Sequence, residues 1–556
     1  MNIRVLQGLN LKYPVTTVVA ELRNVKPELL DFFKQLHPVF MIDYTIVDAT
    51  TVEIQTHLPN IWKNTRVQKA IEDYSTGTTS FEDAKKQLLE ITRLMIFSMS
   101  TIPTLHAAHT LGYETFQFFI NKDILSKKLL NRYYNIGIGK ETTVTVSAGS
   151  VGDSVLGYKT QRDKWFTNQF LDTMGLPIAA WSHVEDRKDL PDIAKRIGLP
   201  LVIKPVGLTG GHAVFVGIKT VNELEQAYDK IKAILAEKPQ LAAWQGEIIV
   251  QKMVTGDDYR ILVIGGTVEI ATHRIPARIT GDGIHTIQQL VEQENENPQR
   301  DISLPTHTLK YIVIDEELEH VVRENGYSLN DIPPKDEVVY VRKVASMSQG
   351  GITKDVTDLL HPQTRAICES ISTSVHTNVL GVDILCKDIS KPLTPENGTI
   401  IEMNTMPEIY LNAFPVIGNQ HPDIGEKIVR SLIDPNIHTN TVVAMGSITP
   451  ESITKIVAKE IENTSNIGVY SQHRFYINGN LINDNIDTES AVLALKRNKS
   501  LDTIVLHYDS IEEIEENGMG FNTIDLLITT PQAVSSVEAV VSDYQQKGLI
   551  HNIITV

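Results

Sequence analysis

The sequence contains very little cysteine: only Cys368 and Cys386 occur among its 556 residues, and neither lies in a CxxC motif. So few thiols predict neither a disulfide framework nor a zinc site, and they fit a reducing compartment. A long hydrophobic run is also missing, because the most apolar stretch, residues 89–105, contains Arg93 and Pro103 and is too short to span a bilayer. The N-terminus shows no signal peptide. These absences predict a cytoplasmic protein without a membrane partner.

Basic residues are outnumbered, since 51 Lys and Arg face 68 Asp and Glu, which gives a formal net charge of -17. An acidic chain is a poor partner for nucleic acid or an anionic membrane, because both attract basic surfaces. A local basic pocket for a small anion such as a nucleotide remains compatible with this balance. The apolar share of 42% and the charged share of 21% are those of a soluble globular protein, so disorder as the main state is excluded.

Length and pattern together predict an α/β (α+β) protein of several domains. At about 150 residues a domain, the chain has room for three or four. Residues 1–155 are predicted to form a small mixed domain, whose end is marked by a Gly/Ser-rich stretch. Residues 156–438 alternate helical and strand patterns, and residues 439–556 carry further strands between short helices.

Lys204 is the first candidate functional residue. It lies near the end of the apolar strand LPLVIKP, and a turn with three glycines follows it: Gly207, Gly210 and Gly211. A buried lysine is unfavourable unless it meets an anion, and glycine backbone N–H groups can approach phosphate oxygens closely. The pattern is not GxxxxGK[ST]. The alternative is a lysine that caps a sheet above an ordinary loop.

The segment VQKMVTGDDYRILVI is the second candidate. Its apolar part, Val250 to Val254, can offer backbone groups to a base edge, and Asp258 can hold a ribose hydroxyl. Three arginines in and after the segment supply rigid forks suited to phosphate or carboxylate: Arg260, Arg274 and Arg278. The alternative is a solvated hairpin with surface arginines.

Three oxygen-bearing side chains form the third candidate. Asp383 lies in an apolar strand, and Glu402 and Asn404 lie two apart in the strand TIIEMN, so they point to one face. Such a set suits Mg²⁺, a hard cation that bridges ATP phosphates. The alternative is an ordinary buried acid that is simply hydrogen-bonded.

The fourth candidate is a Ser/Gly loop that follows Arg342. It contains Ser348, Gly350 and Gly351. The alternative for this segment is a plain surface turn.

These four segments, in this order, resemble the ATP-grasp ligase domain of cyanophycin synthetases. The resemblance rests on the runs GDDYRILVIGG, RIPARITGDGIHTI, SQGGITKDVTDLLHP, GVDILCKDISKPL and IIEMN. The opening QGLN and the strand VVAELRN resemble the N-terminal domain of the same enzymes, which in that family helps to hold the acceptor or growing polymer. The resemblance therefore implies an ATP-grasp fold between two smaller domains.

The resemblance also implies roles for individual residues. It implies an ATP-binding set, with lysines at the phosphates, a hinge at the adenine and an acid at the ribose, namely Lys164, Lys204, Gln251, Lys252, Met253, Val254 and Asp258. It implies groups at the phosphates, the acyl phosphate and the acceptor carboxylate, namely Arg274, Arg342, Ser348, Gly350 and Gly351. It implies two Mg²⁺ ions held by Asp383, Glu402 and Asn404.

The chain departs from the family pattern at three places. Gln251 stands where the family commonly has Glu, and the glycine loop reads VGLTGGHA. After IIEMN the chain continues with Met406, Pro407 and Glu408, where the family usually has Pro-Gly. These changes leave the ATP and metal roles intact and indicate substrates different from those of cyanophycin synthetase.

Residues 439–556 resemble part of the Mur-type ligase that follows the ATP-grasp domain in cyanophycin synthetases. The place of its phosphate loop reads VVAMGSITPESIT, without the lysine and with Pro450 and Glu451 added. Such a loop is unsuited to phosphate. We therefore predict a truncated Mur-like α/β domain that serves in packing or dimerisation. The alternative is a second ATP site.

The predicted function is an ADP-forming carbon–nitrogen ligase. Its ATP would convert a carboxylate into an acyl phosphate, which the amine of an amino acid or peptide then attacks. One alternative is a cyanophycin-like polymerase that joins dipeptide units at a single ATP site, and another is a non-catalytic nucleotide-binding scaffold. The resemblance further implies a homodimer or homotetramer, and no nucleic-acid partner is expected.

Overall fold

The computed structural model describes most of the chain, namely residues 1–95, 100–118, 133–206, 213–237, 247–300, 309–462 and 464–556. The chain forms two compact units. The first unit contains both ends of the chain, Met1–Ser150 and Asp423–Val556, and the second lies between residues 151 and 422. The three domains predicted from the sequence, with boundaries near residues 155 and 438, stay a prediction.

In the described residues of its N-terminal part, the first unit contains two antiparallel sheets and five helices. The strands are β1 Asn2–Leu6, β2 Thr17–Glu21, β3 Asp43–Ile46, β4 Thr51–Gln55, β5 Thr115–Gln117, β6 Tyr134–Ile136, β7 Thr143–Val146 and β8 Gly149–Ser150. The helices are α1 Pro27–Leu36, α2 Asn60–Lys63, α3 Thr65–Ser75, α4 Phe81–Met95 and α5 Thr101–Thr110. The strand orders are β1-β2-β4-β3 and β5-β6-β7-β8. A core that includes Phe33 and Trp62 packs against the first sheet.

The second unit is built around two antiparallel sheets. The strands are β9 Trp181–Val184, β10 Leu201–Pro205, β11 Phe215–Ile218, β12 Ile248–Lys252, β13 Asp257–Ile264, β14 Thr267–Ile275, β15 Arg278–Thr280, β16 Val338–Tyr340, β17 Ile352–Asp355, β18 Val379–Cys386 and β19 Gly398–Asn404. The helices are α6 Val155–Arg162, α7 Lys164–Thr173, α8 Leu190–Ile197, α9 Val221–Glu237, α10 Ile287–Asn295, α11 Glu316–Glu324, α12 Pro362–Ser374 and α13 Ile409–Ala413. The strand orders are β11-β10-β12-β9 and β17-β14-β13-β18-β19, with β15 and β16 paired separately.

The β13–β14 hairpin shows how local sequence sets this fold. Each strand has apolar residues on a buried face, and Gly265 and Gly266 join the two strands. Both glycines have positive φ, +56° and +82°, which side-chain-bearing residues avoid. The hairpin therefore follows from two apolar strands joined by a Gly-Gly turn.

The C-terminal part of the first unit contains a seven-stranded sheet of order β23-β22-β21-β24-β20-β25-β26. The strands are β20 Asn440–Met445, β21 Ile467–Ser471, β22 Arg474–Ile477, β23 Asn480–Asn483, β24 Thr503–Tyr508, β25 Ile524–Thr529 and β26 Ile550–Thr555. The helices are α14 Ile424–Leu432, α15 Pro450–Glu460, α16 Thr488–Lys496, α17 Ile511–Asn517, α18 Pro531–Ser535 and α19 Glu538–Gln546. Five strands that are neighbours in this sheet are parallel, namely β21, β24, β20, β25 and β26. Apolar cores cover both faces, which explains the continuous apolar runs of β20 and β24.

The loop between β20 and α15 occupies the place of the predicted degenerate phosphate loop. Its polar groups bond within the protein: the Ile448 amide donates to the Gly446 carbonyl at 2.8 Å, and the Gly446 amide donates to the Tyr508 carbonyl at 2.9 Å. An imidazole nitrogen of His507 lies 2.9 Å from the same Gly446 carbonyl. Thr449 caps α15 through its side chain. In a phosphate loop, backbone amides donate to the phosphate. Here the amides of Gly446 and Ile448 donate to protein carbonyls instead.

No helix among the described residues is both long enough and apolar enough to cross a bilayer.

Candidate active site

A cavity of about 680 Å³ lies in the second unit. Both sheets of this unit line it, together with Tyr340, the last residue of β16, and with residues 343–345, which follow that strand. Its lining includes six of the predicted nucleotide-binding positions and one predicted phosphate contact: Lys204, Gln251, Lys252, Met253, Val254, Asp258 and Arg274 are all present. Residues from separate strands thus meet at one concave surface, which is the usual setting of a small-molecule site.

The end of β12 forms one edge of this cavity. The Lys252 amide donates to the Ala180 carbonyl at 2.8 Å, and the Met253 amide donates to the Pro200 carbonyl at 3.0 Å. The Gln251 side chain points elsewhere, because its amide donates to the Asn168 Oδ1 on α7 at 2.8 Å. Apolar side chains flank this strand end, so a flat aromatic ring with polar edges fits here.

Lys164 and Lys204 are brought together with Glu402. Lys204 is buried in β10, and Lys164 is the first residue of α7. Burial and, secondarily, the charge of Lys164 lower the pKa of Lys204 to about 8, against the opposing effect of Glu402. Burial also lowers the pKa of Lys164, while Glu402 and Asp163 oppose the shift. Because Asp163 is also paired with Lys159 at 2.6 Å, the buried Lys204 and the partly buried Lys164 leave a local excess of positive charge over Glu402, which suits a polyphosphate.

An ionic chain of four residues crosses the face of the larger sheet. Arg274 Nη2 lies 2.5 Å from Asp258 Oδ1 and 2.9 Å from Asp383 Oδ2. Arg260 donates two hydrogen bonds to the Asp383 carboxylate, one from Nε and one from Nη2, the latter at 2.9 Å. The strand register brings them together, because Asp258 pairs with Arg274 and Arg260 pairs with Asp383.

The pKa values of the two carboxyl groups in this chain move in opposite directions. Burial raises the pKa of Asp258 and outweighs the opposing charge of Arg274. Burial would also raise the pKa of Asp383, but its two arginine contacts prevail and lower it. Asp383 is therefore ionised at neutral pH in a buried position.

The three predicted metal ligands lie side by side. Asp383 and Glu402 are direct cross-strand partners on β18 and β19, and Asn404 follows two residues later opposite Gly381. The buried Nδ2 of Asn404 has no hydrogen-bond partner among the described residues. Within the described part of the chain there is no cluster of three or more His, Cys, Asp or Glu side chains placed to hold a metal ion. The candidate set therefore depends on two carboxylates and an amide.

Arg342 lies among acidic side chains rather than on the cavity wall. Its guanidinium, which is 1% exposed, is 2.8 Å from Asp315 and 3.1 Å from Glu317, and it donates to the Val313 carbonyl at 2.8 Å. Glu317 in turn accepts a bond of 3.1 Å from Gln349. Glu317 thereby connects Arg342 to Gln349 of the Ser/Gly loop. The predicted direct contact of Arg342 with the acyl phosphate stays a prediction.

The Ser/Gly loop is tightly packed. Gly350 has a φ of +89°, and a Cβ atom there would come within 2.5 Å of Ile312 Cγ1. A Cβ atom at Gly351 would come within 2.9 Å of the Ser346 carbonyl oxygen. Ser348 and Ser346 exchange a hydroxyl hydrogen bond of 2.8 Å. Both glycines are thus required by packing, whatever ligand the loop binds.

Gly207, Gly210 and Gly211 lie outside the residues that the structure describes, so their predicted contact with phosphate stays a prediction.

Three supporting side chains were not singled out by the sequence for the roles they have. Asn168 holds Gln251, and Arg260 holds Asp383. Arg300, which is 1% exposed, bonds to Glu294, to the Lys310 carbonyl at 2.6 Å and to the Gly350 carbonyl at 3.2 Å. Arg300 lies in a polar stretch that resembles a surface loop, so no local signal marks it. The sequence does carry a signal for Arg260: it lies two residues after Asp258 in one strand, so both side chains point to the same face.

Comparison with known proteins finds an ATP-grasp family match within this unit. Residues 162–274 match the family described as the phosphoribosylglycinamide synthetase ATP-grasp (A) domain. The cyanophycin synthetase of Synechocystis is 29% identical over 382 residues, which cover 67% of this chain and 42% of that protein. A glutathione biosynthesis bifunctional protein, GshAB, of Clostridium perfringens is 31% identical over 234 residues, 42% of this chain and 29% of that protein. The chain spans less than half the length of these curated relatives.

Among solved structures, a bifunctional glutathione synthetase from Pasteurella multocida is similar at 22% identity, covering 63% of this chain and 45% of that one, with a TM-score of 0.46. The sequence matches confirm the predicted ATP-grasp domain and its similarity to cyanophycin synthetases. The Mur-like character of residues 439–556 stays a prediction.

Proposed function

We propose that this chain, which carries an ATP-grasp domain similar to that of cyanophycin synthetases, is an ATP-dependent carboxylate–amine ligase. It would form an amide bond between amino acids, or between an amino acid and a peptide, with release of ADP and phosphate. The observation that carries the proposal is the meeting, at one cavity, of a buried lysine, a polar strand end and an Asp–Arg pair: Lys204, residues 251–254, Asp258 and Arg274. A basic, partly apolar cavity of this kind suits a nucleotide.

ATP would bind with its base at the end of β12 and its phosphates towards the lysines. Apolar lining residues such as Val202, Leu385 and Ile401 supply the surface for the adenine ring. Because the Lys252 and Met253 amides already donate to the Ala180 and Pro200 carbonyls, backbone groups of Val254 would supply the polar edge, and the Asp258 carboxylate would supply an acceptor for a ribose hydroxyl. The triphosphate would then lie near Lys164 and Lys204, whose positive charge is concentrated by burial.

Asp383, Glu402 and Asn404 fit Mg²⁺ as its ligands. Two carboxylates directly opposite each other supply hard oxygen donors, and the partnerless Asn404 amide would present its oxygen after a 180° rotation. Bound by these residues, Mg²⁺ would supply positive charge that offsets the negative charge of the phosphates. We propose two ions, in keeping with the number of donors.

The reaction would proceed in two steps. The carboxylate of the first substrate attacks the γ-phosphorus of ATP, which forms an acyl phosphate and breaks the bond to ADP. The amine of the second substrate then attacks the acyl carbon, phosphate leaves, and the amine proton is released. Lys164, Lys204 and Arg274 would offset the charge that develops during phosphoryl transfer. The Ser348 loop would bind the acceptor carboxylate, with Gly350 and Gly351 allowing close backbone approach.

ADP release by the purified protein with Mg²⁺ and ATP tests the proposal. Single amino acids, pairs and dipeptides are screened, and the products are examined by mass spectrometry. We expect ADP release that depends on one substrate pair, together with one new amide mass. The Lys204→Met variant should lose this activity, while Lys188→Met, an exposed lysine of the same unit, should retain it.

Other outcomes would change the conclusion. A ladder of product masses would make the protein a polymerase of dipeptide units. Tight ATP binding without ADP release for any combination would support the non-catalytic scaffold instead. Failure to bind ATP would contradict both.

A further inference from the structure

Asn168, a buried residue of α7, holds one end of the Gln251 side chain. Gln251 Nε2 donates to Asn168 Oδ1 at 2.8 Å, and Asn168 Nδ2 donates to the Lys164 carbonyl at 2.7 Å. Asn168 is 4% exposed and Gln251 is 7% exposed, so both amides are fixed within the protein. We name these two amides and the Lys164 carbonyl the Asn168 relay; Asn168 has no assigned part in the proposed reaction.

The direction of the Asn168 relay follows from the chemistry of its groups. A backbone carbonyl only accepts hydrogen bonds, so Asn168 must turn its NH2 group to Lys164 and its oxygen to Gln251. That oxygen is also an acceptor, so the NH2 group of Gln251 must face Asn168. The Gln251 amide therefore cannot be reversed without loss of a buried hydrogen bond, which is unfavourable.

The free end of the Gln251 amide opens onto the nucleotide cavity. Although Gln251 turns towards α7, it stays on the cavity face of β12, because its cross-strand partner Val202 lines the same cavity, as does Lys204 two residues further along β10. Among the described residues no group donates to Gln251 Oε1, and this atom is not one of the fully enclosed polar atoms that lack a partner. The relay thus places a hydrogen-bond acceptor of fixed direction on the cavity wall.

An acceptor of fixed direction discriminates between purine bases. Adenine carries an amino group at C6, which donates hydrogen bonds, whereas guanine and hypoxanthine carry an oxo group there, which would face Oε1 with a second acceptor. We propose that Asn168 is a positioning residue, which holds the Gln251 carbonyl towards the base and thereby makes the site selective for a nucleotide with a 6-amino group. This selectivity rests on the proposed function, in which the base lies at the end of β12.

Calorimetric titration with ATP and with purine riboside triphosphate, which is ATP without the 6-amino group, tests the proposal. Both are titrated with Mg²⁺ into the full chain in the absence of amino acids, so that no ligation occurs. We expect the wild type to bind ATP roughly tenfold more tightly, and Gln251→Leu to bind the two nucleotides within about twofold of each other. Asn168→Leu should reduce the preference several-fold, because the Gln251 amide can then reverse. Gln169→Leu, which changes the exposed neighbour on the same helix, should leave the preference intact.

Asn168→Asp separates positioning from simple packing. The aspartate still accepts from Gln251 Nε2, so the preference for ATP should persist, while the added negative charge near Lys164 should weaken both nucleotides alike. An unchanged preference in Asn168→Leu, or an equal loss in Asn168→Leu and Asn168→Asp, would overturn the positioning role. Equal binding of the two nucleotides by the wild type would overturn the selectivity and leave the proposed ligase standing, whereas binding of neither would overturn both.

Discussion

At the scale of single residues, Asp383 is the most constrained side chain of the candidate site. It is buried, and it is shared by Arg260 and Arg274. Glu402, its cross-strand partner, faces the two lysines instead. The two carboxylates therefore differ in what their removal leaves behind: loss of Asp383 takes a direct partner from two partly buried arginines, whereas loss of Glu402 takes a nearby charge from Lys164 and Lys204.

We predict that Asp383→Asn and Glu402→Gln separate stability from metal-dependent activity. Asp383→Asn should lower the free energy of unfolding by about 3 kcal/mol, because loss of one partner leaves buried charges uncompensated. Glu402→Gln should change it by less than about 1 kcal/mol, yet both variants should lose Mg²⁺-dependent ADP release. Urea denaturation and the ADP assay measure the two effects. Equal destabilisation by both substitutions would contradict the prediction.

We predict that ATP affinity falls as the pH rises through about 8, the pKa to which burial lowers Lys204. The pKa of an unfolded lysine is about 10.4, so between these values the folded protein binds fewer protons than the unfolded chain. Stability should therefore increase over that interval, whereas ATP binding should weaken as the ammonium charge is lost. Fluorescence titration with a nucleotide analogue from pH 6.5 to 9.5 measures this. Lys204→Arg stays protonated, and its affinity should be nearly constant over the same range.

At the scale of elements, the Ser/Gly loop after β16 is braced by two fully buried arginines. Arg300 bonds to the Gly350 carbonyl, and Arg342 reaches Gln349 through Glu317. Both guanidinium groups are about 1% exposed, so each is already committed to protein contacts. The element therefore has a fixed shape before any substrate arrives.

We predict that Arg342→Met acts on the acceptor and not on the nucleotide. A displaced loop should raise the KM for the amine substrate by roughly 10- to 100-fold, since small errors of position have large effects on rate. The Kd for ATP should stay within about twofold, because Arg342 does not line the nucleotide cavity. Arg323→Met on α11, an exposed arginine paired with Glu319, serves as the control. A loss of ATP binding in Arg342→Met would refute this assignment.

Local elements of the fold were predictable from the sequence, whereas contacts between distant segments were not. The β13–β14 hairpin follows from strand periodicity and a Gly-Gly turn, and Glu402 and Asn404 share a face because side chains alternate along a strand. The bond from Gln251 to Asn168 spans 83 residues, and the grip of Arg260 on Asp383 spans 123. No local pattern encodes such pairs, because the two partners lie far apart in the sequence. The register between strands that are distant in sequence depends on the whole sheet. Lys164 was identified only through the family resemblance.

At the scale of the whole molecule, the first unit is assembled from the two ends of the chain. Leu9 and Ile138 belong to the same apolar core as Phe521 and Leu506. The Leu9 amide donates to the Phe521 carbonyl at 2.7 Å, and the Met519 amide returns the contact to Leu9. The second unit, in contrast, lies between residues 151 and 422.

We predict that truncation has opposite effects on the two units. A chain that ends at residue 422 should expose Leu9 and Ile138, and we expect it to aggregate or to bind the dye ANS. Residues 151–422 expressed alone should fold cooperatively and bind a nucleotide analogue with the affinity of the full chain. Circular dichroism melting and fluorescence titration check both expectations. A soluble, ANS-negative fragment of residues 1–422 would show that the shared core is dispensable.

The discontinuous first unit also sets an order of events during translation. After residue 150 has left the ribosome, residues 151–422, nearly twice the earlier length, must be synthesised before residue 423 appears. At about 5 to 20 residues per second, this interval lasts roughly 15 to 55 s. During that time the apolar faces of Leu9 and Ile138 lack their C-terminal covering. A nascent chain of this design gains from a holding chaperone that binds early and leaves only after termination.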